Sequence, residues 1–111
     1  MITQLKGLLI EKYPTHLVID CNGVGYEVNI SLHTFGQLKK QDNIKIYTHL
    51  QIKEDAHILY GFITELERAV FRLLISVSGI GTSIARTMLS SLTPEEVQNA
   101  IVNEDLNRIK S

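Results

Sequence analysis

The sequence is short of several things at once, and each shortage narrows the reading. There is one cysteine, Cys21, so no internal disulfide can form, and the pattern fits a reducing cytoplasm. Cys21 reads as a small packed residue rather than a nucleophile. No apolar run approaches the length of a membrane span, and the N-terminus has no secretory pattern, so no membrane partner is expected. Charge of one sign is also missing. Eleven Lys and Arg face twelve Asp and Glu, a net charge of −1, which argues against coating nucleic acid with diffuse positive charge. A few cations and backbone amides gathered on one face remain compatible with that balance. No glycine-rich loop of the G-x-x-x-x-G-K-[ST] type is present, so ATP hydrolysis is not assigned to this chain. The four histidines, His16, His33, His49 and His57, are scattered along the chain and do not read as a metal site. The reading therefore names no metal, no cofactor and no catalytic residue.

What is present is a soluble composition, 44% hydrophobic and 21% charged, over 111 residues: one ordinary domain or two very small ones. Residues 1–63 read as strands. Ile2 to Lys12 is a long one, broken by Tyr13-Pro14-Thr15, and His16 to Asp20 is short and apolar. Asn22-Gly23 marks a hairpin turn. Val24, Tyr26, Val28 and Ile30 then alternate with Gly25, Glu27 and Asn29, as in a half-buried strand. Ser31 to Lys40 is weakly helical. Ile44 to Ile52 and Ala56 to Ile63 are two further strands joined at Lys53-Glu54-Asp55. Five strands and one short helix point to a small barrel of the OB-fold type.

The composition changes at Thr64. Thr64 with Glu67, and Thr93-Pro94-Glu95-Glu96, are two capping boxes that start helices. Leu66, Val70, Leu73, Leu74 and Val77, then Ile84, Ala85, Met88, Leu89 and Leu92, recur at helical spacing, with Val97, Ala100 and Ile101 on a later apolar face. Asn103 reads as a third N-cap ahead of Leu106 and Ile109, and that unfinished apolar face predicts that the natural protein continues. The fold class is α+β, with a barrel domain over 1–63 and a partial helical domain over 64–111.

Between two of the helices lies Ser78-Gly79-Ile80-Gly81-Thr82-Ser83, too short for anything but a tight turn. Glycine there takes positive φ at little cost and lets the backbone approach another molecule. The amides of Gly79, Gly81 and Thr82 stand at a helix start, where unpaired N–H groups and the dipole favour an anion. A nucleic-acid phosphate is the natural candidate, and backbone binding of this kind carries no base sequence. Ile80 makes sense if it tucks back between the helices and locks the turn. The stretch closely resembles the helix-hairpin-helix element of DNA-binding proteins.

Three stretches taken together resemble the RuvA family: Gly23-Val24-Gly25-Tyr26-Glu27-Val28, Glu54-Asp55-Ala56-His57-Ile58-Leu59-Tyr60-Gly61-Phe62, and the Ser78–Thr82 hairpin with its flanking helices. The resemblance covers essentially the whole chain. It implies an OB-fold domain that assembles a flat homotetramer, a second domain with two hairpins of which this sequence holds one, and a tethered third domain, absent here, that contacts a RuvB-type hexameric ATPase. It implies a non-catalytic subunit of a helicase complex that binds four-way (Holliday) junction DNA and holds it open for branch migration in recombination and repair. It also implies that Glu54 and Asp55 are an acidic pin near the junction centre, where carboxylates oppose the approach of phosphates. Lys53, Arg68, Arg72 and Arg86 are the candidate phosphate contacts, and Lys39 and Lys40 are further cations whose face the sequence does not fix. A solvated surface is the competing reading of each. Tyr26, Tyr60 and Phe62 read as core before base-stacking platforms. The competing functions are a single-strand-binding OB module, a hairpin-containing glycosylase and a protein-assembly scaffold. The glycosylase needs a nucleophile or base beside the hairpin, and Ser83, Arg86 and Thr87 include neither Lys nor Asp.

Overall fold

A computed structural model describes residues 1–38 and 43–102, the last three by backbone alone. Five strands, β1 (Gln4–Lys12), β2 (His16–Cys21), β3 (Val24–Ile30), β4 (Asn43–Ile52) and β5 (His57–Phe62), close a barrel in the order β1-β2-β3-β5-β4. This is the expected barrel. Every neighbouring pair is antiparallel except β3 with β5, a short parallel contact at Asn29↔Tyr60 and Ile30↔Gly61. The Asn22-Gly23 turn is there for the expected reason: both residues have positive φ, 54° and 91°, the geometry that a two-residue hairpin demands. Period-two alternation turns Leu5, Leu17, Ile19, Val28, Ile30, Ile44 and Ile46 into the barrel. On β1 the pairing shifts between Leu9 and Glu11, and Leu8 and Ile10 face outward rather than joining that core.

Helix α1 (Leu32–Gln37) is capped by Ser31 and sends Phe35 against the barrel core. It is followed by α2 (Glu65–Ser76), α3 (Thr82–Ser91) and α4 (Pro94–Val102). The α4 start is a full capping box: Thr93 Oγ1 accepts from Glu96 N and Glu96 Oε1 accepts from Thr93 N, each at 3.1 Å. The α2 start is only half of one. Thr64 Oγ1 caps Glu67 N at 3.1 Å, but the Glu67 carboxylate turns inward. It accepts from Ser31 Oγ at 2.6 Å and from Thr34 Oγ1. Each hydroxyl in turn accepts a backbone N–H, from Thr34 and Ile63 respectively. Glu67 is 0% exposed, and a buried carboxylate is tolerated only with hydrogen bonds of this kind. The expected reciprocal capping therefore gives way to a latch between α2 and the barrel cap.

The helical spacing predicts a broader buried face than the structure has. Leu73 and Ile84 are 45% and 48% exposed. The face of α2 that packs inward is Glu67, Val70, Phe71 and Leu74, and that of α3 is Ala85, Met88 and Leu89. Leu73 and Ile84 each lie about one residue's rotation from the centre of these stripes. Phe71 is the centre of the packing. Its ring centroid lies 4.9 Å from Phe62, 5.3 Å from Tyr60 and 5.5 Å from His49, so α2 and the outer face of β4–β5 share one buried cluster. Lys39, Lys40, the Asn103 cap with Leu106 and Ile109, and the side chains of Ala100 and Ile101 lie outside the described residues.

Candidate nucleic-acid interface

The hairpin is built from a turn and an uncapped helix start. Ile80 N–H donates to Val77 O at 3.1 Å, closing a turn over Val77–Ile80. Gly79 has φ +87°, the left-handed value that a type II turn takes at its third residue. Ile80 is 5% exposed and packs in the Phe71 cluster, as its place between two glycines predicts. Gly81 differs from the expectation of positive φ. Its φ is −91°, which any residue adopts, and a Cβ built there meets nothing within 4 Å. The fold therefore does not need glycine at 81. Gly81 is the N-cap of α3 and offers no side-chain acceptor to that helix. The first-turn amides of α3 are thus left for an outside acceptor, at the positive end of the dipole. Ser78, Gly79, Gly81 and Ser83 are exposed.

The acidic turn is a tight hairpin between β4 and β5. Lys53 N donates to Ala56 O at 2.7 Å and Ala56 N to Lys53 O at 3.4 Å, leaving Glu54 and Asp55 as the exposed tip. Adjacent tip residues of this kind have no buried partner and no shared reacting point.

The two turns are joined by side chains. Tyr60 Oη donates to Thr82 Oγ1 at 3.0 Å, and Thr82 Oγ1 donates to Gln51 Oε1 at 3.3 Å. Gln51 sits two residues before Lys53. Thr82 is therefore half-buried and occupied, whereas Ser83 beside it is open.

The cations divide into separate places. Asn29, Tyr60 and His49 form one row across β3, β5 and β4. Arg86 lies at the Asn29 end, with Nη1 3.4 Å from Asn29 Oδ1 and 3.5 Å from Thr15 O. Arg72 lies at the His49 end, where its Nε donates to His49 Nδ1 at 3.3 Å. Arg68, one turn earlier, donates to Thr3 O at 2.7 Å and stacks over Tyr47 at 5.4 Å. Lys53 is exposed at the acidic turn. Burial first, then the charges of Arg72 and Arg68, hold the His49 imidazole below its ordinary pKa. It is thus neutral at pH 7 and able to accept from Arg72. Tyr60 and Phe62 are buried against Phe71 and present no face to a base.

The sequence gives no sign of Gln51; Glu67 reads there as a capping-box partner, Tyr60 as core and His49 as one of four scattered histidines, and their bonds to Ser31 and Thr34, to Thr82 and from Arg72 emerge only in the fold.

Comparison with known proteins bears on the same residues. Residues 1–61 match the model of the RuvA N terminal domain. Over all 111 residues the chain is 61% identical to a protein of Christiangramia forsetii and 60% identical to one of Flavobacterium psychrophilum. It is 47% identical over 112 aligned residues to one of Neisseria meningitidis. Each of these is named Holliday junction branch migration complex subunit RuvA, and the chain spans 58% of the length of each. A domain match over more than half of the chain, carried by the barrel described above, means that the chain belongs to the RuvA family.

Proposed function

We propose that this chain binds four-way junction DNA through backbone phosphates, without reading base sequence. The observation that carries the reading is the coupling of two chemically opposite turns, the Ser78–Ser83 hairpin and the Glu54–Asp55 tip, through Thr82 and Gln51. The hairpin amides attract phosphate and the carboxylates repel it. A duplex arm is gripped at the first while the junction centre is kept open at the second. Lys53, Arg68, Arg72 and Arg86 flank the phosphates. The names of the relatives support the junction as the substrate.

In this reading residues 1–63 form a homotetrameric platform and 64–111 form part of a DNA-binding domain. The subunit is non-catalytic. Branch migration is driven by a RuvB-type ATPase, contacted through a part of the protein outside this chain, in the cytoplasm during recombination and repair. Among the described residues no helix is long and apolar enough to cross a membrane.

The test is titration of the complete protein against a four-way junction and linear duplexes of unrelated sequence, with sedimentation for the tetramer. The expected result is tighter binding to the junction and equal binding to the duplexes. Equal affinity for junction and duplex, or a strong dependence on sequence, would contradict the reading.

A further inference from the structure

The hairpin is held to the barrel in two physically different ways. Ile80 and its neighbours bury apolar surface, which is stabilising but non-directional. The Tyr60 Oη–H···Thr82 Oγ1–H···Gln51 Oε1 chain is directional, and it uses the threonine hydroxyl both as acceptor and as donor. Its ends matter. Thr82 is the first residue of α3, next to Gly81. Gln51 belongs to β4 and is paired with Ile58, so a hydrogen-bonded two-strand segment runs from it into the acidic turn. The chain of bonds thus links the helix start that would receive a phosphate to the hairpin that would repel one.

We propose that Gln51 and Tyr60 are positioning residues: through the Thr82 hydroxyl they hold the phosphate-binding hairpin in register with the acidic turn, and so set the preference for a four-way junction over a linear duplex. The inference rests on the junction-binding reading above. A linear duplex is repelled by the acidic turn but is free to shift along the hairpin, so its affinity depends little on the exact spacing of the two turns. A junction must meet hairpin and acidic turn together, and simultaneous engagement is lost when their spacing is wrong. Loosening the tether therefore costs junction affinity selectively.

The test uses the complete protein with Tyr60→Phe, Gln51→Met and both together. Each single change removes one end of the hydrogen-bond chain at nearly constant volume. Duplex affinity is expected within about twofold of wild type and junction affinity to fall about fivefold, the scale of one hydrogen bond. The double variant is expected to lose more than either single, because each single change leaves the threonine hydroxyl its other bond and only the pair frees it. Gln51→Glu keeps an acceptor oxygen for Thr82 but adds a carboxylate near the acidic turn, so it serves as the control for the tether by hydrogen exchange and not by DNA affinity. Without DNA, hydrogen exchange of the bonded Ile80 and Ala85 amides should quicken in Tyr60→Phe and Gln51→Met and not in Gln51→Glu. Parallel losses on both DNA forms, or an unchanged ratio in folded variants, would overturn the inference alone. Absence of any junction preference in the wild type would overturn the junction reading with it.

Discussion

The turn at Gly79–Gly81 and the turn at Glu54–Asp55 both reverse the chain in a few residues, yet they are made differently. The first needs a left-handed residue, and Gly79 supplies it at φ +87°. The second closes between Lys53 and Ala56 without one: Asn22 is the sole non-glycine residue of positive φ among the described residues. The instructive residues are those that neither turn requires. Glycine at 81 has ordinary φ and open space around its missing Cβ. Two adjacent carboxylates at 54 and 55 are one of many polar pairs that would serve a hairpin tip. In each turn the chemistry beyond the needs of folding is what a phosphate would sense, attracted at one and repelled at the other.

Removing what the two turns share has the largest effect. Phe71→Ala empties the centre of the cluster that joins α2 to β5 and should cost about 3–5 kcal/mol, read from the urea midpoint. A loss below about 1 kcal/mol would mean that helices and barrel do not share a core.

The two glycines sharpen the comparison within the hairpin. Gly79→Ala forces a side chain into the left-handed region and should cost about 1–2 kcal/mol. Gly81→Ser should instead leave stability unchanged or raise it by about 0.3 kcal/mol, since serine is a good N-cap and glycine only slightly worse. The same serine would occupy the amides that a phosphate needs, so binding to junction and duplex should fall together. Undiminished binding by folded Gly81→Ser would remove the hairpin from the interface.

Neutralising the other turn should act by selectivity. Glu54→Gln with Asp55→Asn should leave stability alone, because both residues are exposed. Duplex binding should rise by on the order of 1 kcal/mol per opposed charge pair, more than junction binding does, and added salt should shrink the change. Paired titrations at two salt concentrations measure it, and a constant junction-to-duplex ratio would show an idle surface turn.

The smallest effect concerns His49. Its folded pKa is lowered by burial and by Arg72 and Arg68, so the unfolded chain takes up the proton first as pH falls. Stability is therefore full above the ordinary histidine range and declines as pH drops through it. His49→Gln should flatten that part of the pH–stability curve, as followed by thermal melts. An unaltered slope would show that another group titrates there.

Most of the barrel and the start of α4 were legible because alternation, the Asn22-Gly23 turn and the Thr93–Glu96 box are local signals, and local signals survive into the fold. Ile80 was legible for the same reason. What escaped is set by partners distant in sequence. The Glu67 carboxylate reads as a cap until Ser31 and Thr34 arrive from the barrel, 36 and 33 residues away. Leu73 reads as core until Phe71 takes the inward face. The tether of Thr82 to Gln51 spans 31 residues and follows no periodicity at all. The proposal that Glu54 and Asp55 act as a pin rests on family resemblance, since the residues alone describe only a polar turn.

The central claim, that one turn attracts phosphate and the other repels it, is tested most directly by removing charge from the DNA instead of the protein. Four-way junctions carrying uncharged methylphosphonates either at the centre or along the arms would be titrated with the complete wild-type protein. The account predicts opposite signs: neutral phosphates along the arms weaken binding, and neutral phosphates at the centre strengthen it. The gain at the centre should vanish in Glu54→Gln with Asp55→Asn. Weakening by central substitution equal to that by arm substitution would contradict the account.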